Sequence, residues 1–257
     1  MIEYRAVTVN YAATAADAVH DVSFTAVRGA VTALVGPNGS GKSTLVRALL
    51  RRVPLTSGII HVEGVALGNL ERSEFARRVA VVTQREDTAF VRTVREYIEL
   101  GRFPHRGRGS SGDAEAVRNA AERAGITSLL ERPTDAVSGG EWQRVRVARA
   151  LAQGGDAIVL DEPTAFLDVA NEMQIFEMLS SLAASGVAVL LVSHQLNLVA
   201  RFAAHIVLLH RGSVVAAGAP DVIMRGDLLE SVYDWPLVIT RDPAVGVPAL
   251  VPLRRAH

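Results

Sequence analysis

The chain of 257 residues is 49% hydrophobic and formally neutral, enough for one large core or a core with an inserted subdomain. The balanced charge argues against a nucleic-acid binder, and the lack of cysteine excludes disulfides and thiolate metal sites and fits a cytoplasmic setting. The opening residues Met1 to Arg5 lack the blocks of a secretion signal, and no apolar run reaches the roughly 18 residues of a membrane span.

In chain order, the first element read with a clear boundary is a buried strand, Val31 to Val35, followed by Gly36-Pro37-Asn38-Gly39-Ser40-Gly41-Lys42-Ser43 and a helical stretch, Thr44 to Arg52. The octapeptide matches G-x-x-x-x-G-K-[ST], a phosphate-binding loop in its proper strand–loop–helix setting. Its glycines let backbone N–H groups close around phosphate oxygens, and the helix N-terminus adds partial positive charge. Of the 27 lysines and arginines only Lys42 is lysine. An arginine-biased chain that keeps one lysine here points to a compact ammonium on the terminal phosphates, which a planar guanidinium replaces poorly. Ser43 is the expected Mg²⁺ ligand.

A second strand is read at Val79 to Val82. From Arg85 to Gln153 strand-like runs vanish and helical segments such as Ala114 to Ala124 dominate, with a loop at Gly107 to Gly112. This predicts an α/β nucleotide-binding core over 1–84 and 154–257 with a mostly parallel sheet, and a helical subdomain inserted over 85–153. Inside the insertion, Ser138-Gly139-Gly140-Glu141 reads as a capping box opening a helix. Two glycines at the first helical positions are a poor choice for a cap alone, because each costs up to about 1 kcal/mol relative to alanine. Bare amides at a helix N-terminus suit the close approach of an anion, so the segment reads as a second phosphate-contacting surface.

The strand Ala157 to Leu160 ends in Asp161-Glu162. Beside a phosphate loop, the first acid is placed to hold Mg²⁺ and the second to polarise the attacking water. The next helix shows Ile175, Leu179 and Leu182 on one face, with Glu172 and Gln174 elsewhere. Strands follow at Val187 to Val192 and Ile206 to Leu209, and Arg211-Gly212 reads as a hairpin turn into Val214–Ala217. The tail from Asp234, rich in Pro and Val, reads as extended and packed on the core.

Ser138-Gly139-Gly140-Glu141-Trp142-Gln143-Arg144, upstream of Leu160-Asp161-Glu162-Pro163-Thr164, resembles the signature of the ABC ATPases followed by its Walker B strand. Val137 and Glu141 stand where the usual form has Leu and Gln. The resemblance covers nearly the whole chain and implies further roles in order. Tyr11 would stack on adenine, Gln84 would be the Q-loop glutamine near Mg²⁺, and Phe166-Leu167-Asp168 would be the D-loop. His194 would be the switch histidine touching the γ-phosphate. Simpler roles stay open for each: packing for Tyr11, a strand end for Gln84 and His194, a helix N-cap for Asp168. The resemblance also implies a head-to-tail dimer with ATP between the P-loop of one copy and the Ser138 segment of the other, driving transmembrane permease subunits from the cytoplasmic face of the membrane. Thr93-Val94-Arg95-Glu96, Gly101-Arg102-Phe103-Pro104-His105 and the ending Asp242-Pro243…Pro252 resemble the importer ATPases for iron–siderophore complexes, haem and cobalamin. Such importers also use a substrate-binding protein. An ABC exporter motor and a soluble non-transport ABC ATPase remain the alternatives.

Overall fold

The computed structural model describes residues 1–11, 17–84, 90–106 and 112–254. Its elements, in order, are β1 (Ile2–Asn10), β2 (Asp17–Ala26), β3 (Val31–Val35), α1 (Lys42–Leu49), β4 (Ser57–Val62), β5 (Val65–Ala66), α2 (Arg72–Arg78), β6 (Val79–Val82), α3 (Val94–Glu99), α4 (Asp113–Arg123) and α5 (Gly139–Gln153). They continue with β7 (Ala157–Asp161), α6 (Val169–Ala184), β8 (Ala188–Val192), α7 (Leu196–Phe202), β9 (His205–His210), β10 (Ser213–Gly218), α8 (Pro220–Ile223), α9 (Gly226–Tyr233), β11 (Leu237–Arg241) and β12 (Pro248–Pro252).

The central sheet has the order β10-β9-β3-β8-β7-β6, and every neighbouring pair is parallel except β9 with β10. The short apolar runs become strands because both of their faces are covered. Ala33, Val35, Ile158, Leu160, Val189 and Leu191 share one core cluster with Ile175, Phe176 and Leu179 of α6. The alternate residues Leu34, Val159 and Leu190 share the other with Leu45 and Leu49 of α1 and with Tyr4, Val7 and Val22.

Those last three residues belong to a second, antiparallel sheet of order β2-β1-β4-β5. Its strands escaped the sequence reading for a physical reason. The pairing of β1 with β2 shifts register between Tyr4 and Val7 and again at Val9, which breaks the two-residue alternation that marks a half-buried strand. The hairpin read at Arg211-Gly212 is present: both residues have positive φ (48° and 82°), and His210 pairs with Ser213 across the two-residue turn.

Between β6 and β7 the described residues form helices and 3₁₀ turns around their own core cluster, with Tyr97 and Ile98 of α3, Val117 of α4 and Val145 of α5. The loop expected at 107–112 lies, except for its last residue, outside the described residues. The tail becomes the hairpin β11–β12, anchored by buried Leu237. No helix among the described residues is long and apolar enough to cross a membrane.

Two phenylalanines test where the core lies. Phe176 is 1% exposed and packs on Phe202 with ring centroids 5.4 Å apart, whereas Phe166 is 94% exposed. Phe176→Ala should lower unfolding stability by about 3–5 kcal/mol, and Phe166→Ala should change it by less than about 0.5 kcal/mol. Urea denaturation of the purified chain measures both.

Candidate functional site

The phosphate loop leaves β3 through Gly36, whose φ of 147° and cramped setting admit only glycine. A Cβ there would lie 2.1 Å from the Leu209 carbonyl oxygen of β9. Gly41, with φ 104°, immediately precedes α1, and a Cβ there would meet Val19 at 2.4 Å and the Ala18 carbonyl at 2.8 Å. Lys42, the first residue of α1, is 6% exposed. Its ammonium donates to the Gly36 carbonyl at 2.8 Å and to the Pro37 carbonyl at 2.9 Å. Burial lowers its pKa, while the Glu162 and Asp161 carboxylates nearby pull the other way.

The acidic pair leaves the end of β7. Asp161 is still in the strand and pairs with Val192 of β8; Glu162 follows with φ 49° and donates its amide to the Val192 carbonyl at 3.0 Å. That left-handed residue turns the chain sharply, so two consecutive carboxylates point into different surroundings. Asp161 is the less solvated one: burial, then the charge of Glu162, raises its pKa, against opposing pulls from Lys42 and Arg47. Glu162 Oε2 accepts from Gln84 Nε2 at 2.8 Å, and Glu162 Oε1 lies 3.8 Å from His194 Nδ1. Gln84, Glu162 and His194 are far apart in sequence, yet each sits just past the end of a parallel strand, and the structure brings them together over the loop.

Two cavities, of about 320 and 410 Å³, adjoin this cluster. The first is lined by Tyr11 and by Asn38 through Thr44, the second by Gly36, Pro37, Asn38, His194 and Tyr233, and Glu162 lines both. Tyr11 lies within 3.3 Å of Thr44 Oγ1 through its hydroxyl. The hydrogen bond to Thr44 lowers its pKa against burial, and Arg47 adds to the lowering.

Ser138 and Glu141 line neither cavity. They form the capping box read from the sequence: Ser138 Oγ accepts from the Glu141 amide at 3.3 Å, and Glu141 Oε2 accepts from the Ser138 amide at 2.8 Å. These bonds, the backbone one first, hold the Glu141 carboxyl below its usual pKa. The two glycines divide in role. Gly139 is exposed with open space where a Cβ would stand, as an anion-facing amide requires. Gly140 is buried, and a Cβ there would lie 2.3 Å from Asn171 Oδ1, so a larger residue would have to displace that side chain. Asn171 in turn bonds Asp168 Oδ1 through its amide at 2.8 Å and its side chain at 2.9 Å. Asp168 is therefore the N-cap of α6, and the start of the signature helix rests on the start of α6.

With this geometry in view, residues 19–165 match the sequence profile of the family described as ABC transporter. The chain belongs to the ABC transporter family. It is 38% identical to the ferric enterobactin transport ATP-binding protein FepC of Escherichia coli, over 88% of this chain and 85% of that protein. It is 39% identical to the hemin import ATP-binding protein HmuV of Rhodococcus jostii, over 91% of this chain and 80% of that protein. Among solved structures it resembles a metal-chelate type ABC transporter in an inward-facing conformation, with TM-score 0.85, 25% identity, and coverage of 99% of this chain and 98% of that one.

Three side chains of this ABC transporter chain were not singled out by motif. Arg146 of α5 is 4% exposed, donates to Gln143 Oε1 at 2.8 Å and reaches the Thr83 carbonyl, next to Gln84. Tyr233 of α9 enters the cavity of Glu162 and His194 from the far end of the chain. Arg47, one turn along α1 from Ser43, faces Tyr11 and Asp161. Only Arg47, at i+4 from Ser43, could have been flagged from helical spacing.

Among the described residues no group of three or more His, Cys, Asp or Glu side chains could hold a metal alone. The oxygens of Ser43, Asp161 and Gln84 fit Mg²⁺ shared with phosphates, since Mg²⁺ takes few protein ligands and keeps oxygen donors around it. The raised pKa of Asp161 marks a carboxylate short of positive charge, which a bound cation would supply. Because the carboxyl titrates higher in the folded chain than in the unfolded one, its charge burdens the empty fold at neutral pH. The burden is complete above the raised pKa and disappears below the unfolded value near 3.8. Asp161→Asn should therefore raise the Tm of the nucleotide-free protein at pH 7 to 8, and the difference should shrink toward zero near pH 4. Differential scanning fluorimetry across that range measures it.

Proposed function

We propose that this chain is the ATP-hydrolysing subunit of an ABC importer for a metal chelate: an iron–siderophore complex, haem or cobalamin. The observation that carries the hydrolytic part is the convergence of Gln84 and His194 on Glu162 beside the Lys42 loop. The importer part is supported by relatives whose names describe ferric enterobactin transport and hemin import, and by the structural likeness to a metal-chelate type transporter. Two relatives of near-equal identity carry different cargoes, so the ATPase sequence leaves the choice of chelate to the permease and to a substrate-binding protein.

In the proposed mechanism Tyr11 stacks on the adenine, and the Gly36–Thr44 loop wraps the phosphates. Lys42, desolvated and held by the Gly36 and Pro37 carbonyls, turns to the terminal phosphates. Mg²⁺, held by Ser43, Asp161 and Gln84, would neutralise phosphate charge. Glu162, oriented by Gln84, aligns the attacking water, and His194 contacts the γ-phosphate from the side opposite Gln84. The exposed start of α5, Ser138 to Glu141, completes the site of a second copy, with Asp168 alongside. Residues 85–153 then act as a subdomain that turns against the core, and the subunit sits peripherally at the cytoplasmic face under its permease.

Glu162→Gln should keep ATP binding but reduce kcat by at least about 100-fold, trapping an ATP-bound dimer visible by size-exclusion chromatography. Rapid steady-state turnover by that variant would remove Glu162 from its catalytic role.

The segment Leu100–His105 lies in a 3₁₀ turn on which the two side chains have different tasks. Arg102 is structural: it bonds Asp113 Oδ1 at 2.9 Å and the Ala152 carbonyl at 2.7 Å. Phe103 is 65% exposed, with the Arg106 guanidinium over its ring at 5.1 Å, and stands where a permease could meet it. Phe103→Ala should cut transport in the assembled complex about tenfold or more, the usual cost of losing an interface anchor. Hydrolysis by the separate subunit should stay within about twofold. Equal transport by wild type and variant would place the permease contact elsewhere.

A further inference from the structure

The C-terminal hairpin belongs to no motif of the nucleotide site, yet it is tied to that site from two sides. Asn197, three residues after His194, clasps β12: its Nδ2 donates to the Leu250 carbonyl at 3.2 Å, and its Oδ1 accepts from the Leu250 amide at 2.7 Å. On the other side, the Leu237 amide donates to Glu230 Oε1 at 2.9 Å, and Trp235 Nε1 donates to the Leu253 carbonyl at 2.8 Å. Tyr233 is the last residue of α9, and the chain turns away from it at Asp234, with φ 51°. The ring is therefore fixed by the helix behind it and the hairpin ahead of it.

That ring stands between two spaces. A cavity of about 520 Å³ lies under the hairpin, with Trp235, Leu237 and Leu250 in its wall and His194 at its edge. The cavity of about 410 Å³ that holds Glu162 and His194 also has Tyr233 in its wall. The hydroxyl is buried and has no hydrogen-bond partner among the described residues. Burial pushes its pKa up to about 12; the Gly36 amide lies close enough to oppose that rise without meeting hydrogen-bond geometry. The phenol thus stays protonated at any working pH and keeps a donor to offer. Folded proteins seldom leave a buried hydroxyl unpaired, because its lost hydration goes uncompensated. No described residue accepts from the phenol, and a ligand in the cavity of Glu162 and His194 can supply that acceptor.

We propose that the Tyr233 phenol donates a hydrogen bond into the hydrolytic cavity when the triphosphate is bound, to the terminal phosphoryl group directly or through one ordered water, and that the C-terminal hairpin holds it there. The inference rests on reading this cavity as the site of ATP hydrolysis. It gives the C-terminal hairpin a part in turnover, through a donor that reaches the cavity beside Gly36.

Tyr233→Phe keeps the ring and removes only the donor. With the purified full-length chain, kcat for ATP should fall about tenfold to a hundredfold, with KM for ATP within about twofold and a Tm no lower than wild type. A purely packing role predicts unchanged kcat, since phenylalanine fills the same space. Wild-type kcat in Tyr233→Phe, or a raised KM with unchanged kcat, would overturn the proposal while leaving the ATPase reading intact. Wild-type protein without ATP turnover would instead overturn the ATPase reading itself.

Discussion

The site depends on the register of four parallel strands. Leu34 of β3 aligns with Val192 of β8, Asp161 of β7 aligns with that same Val192, and Val82 of β6 aligns with Leu160. The strands therefore finish level with one another. The residues just past those ends, Gly36 after β3, Glu162 after β7, His194 after β8 and Gln84 after β6, emerge on one rim. Ligands of open α/β sheets bind outside the carboxyl ends of strands for this reason. A slip of one residue in any of these pairs would exchange the side chains that pack on α6 with those that pack on α1 and the second sheet. The packing of the two core clusters thus also fixes the distances between the groups on the rim.

The second dependency is charge. The rim gathers one ammonium and two carboxylates, and burial disfavours the Lys42 ammonium and the Asp161 carboxylate. Both penalties are of the kind that the proposed magnesium-bound triphosphate would remove, with anionic oxygens for the lysine and a cation for the aspartate. The fold tolerates them through its ordinary core, and binding relieves them. Desolvation before binding is what makes the electrostatics of such a site strong after binding.

Much of this was legible in the sequence because the decisive features are contiguous. A strand, a glycine-rich loop and a helix follow one another directly, as do the apolar run of β7 and its acidic pair. Where the information is spread out, reading failed. The antiparallel sheet was missed because bulges in β1 blur its alternation. Tyr233 could not be placed because nothing local says that α9 ends against the Glu162 cavity. Arg146 reads as one more arginine in a basic stretch until the fold shows it buried and reaching Thr83. Nor does the sequence show that the Asn171 side chain, 31 positions along the chain, packs against Gly140.

The single lysine has an effect on the molecule's acid–base behaviour as a whole. Arginine does not deprotonate in proteins, so nearly all the positive charge of this surface is permanent. Apart from the seven histidines, only the N-terminal amine, Lys42 and four tyrosines can titrate above neutrality. Burial pushes Tyr4 and Tyr233 upward, whereas burial lowers Lys42 and the hydrogen bond with Thr44 lowers Tyr11. The protein therefore has few groups to titrate near pH 10, where ordinary lysines lose their protons. Its net charge, and with it its colloidal behaviour and its attraction to anionic surfaces, should change far less there than that of a lysine-rich protein of the same size.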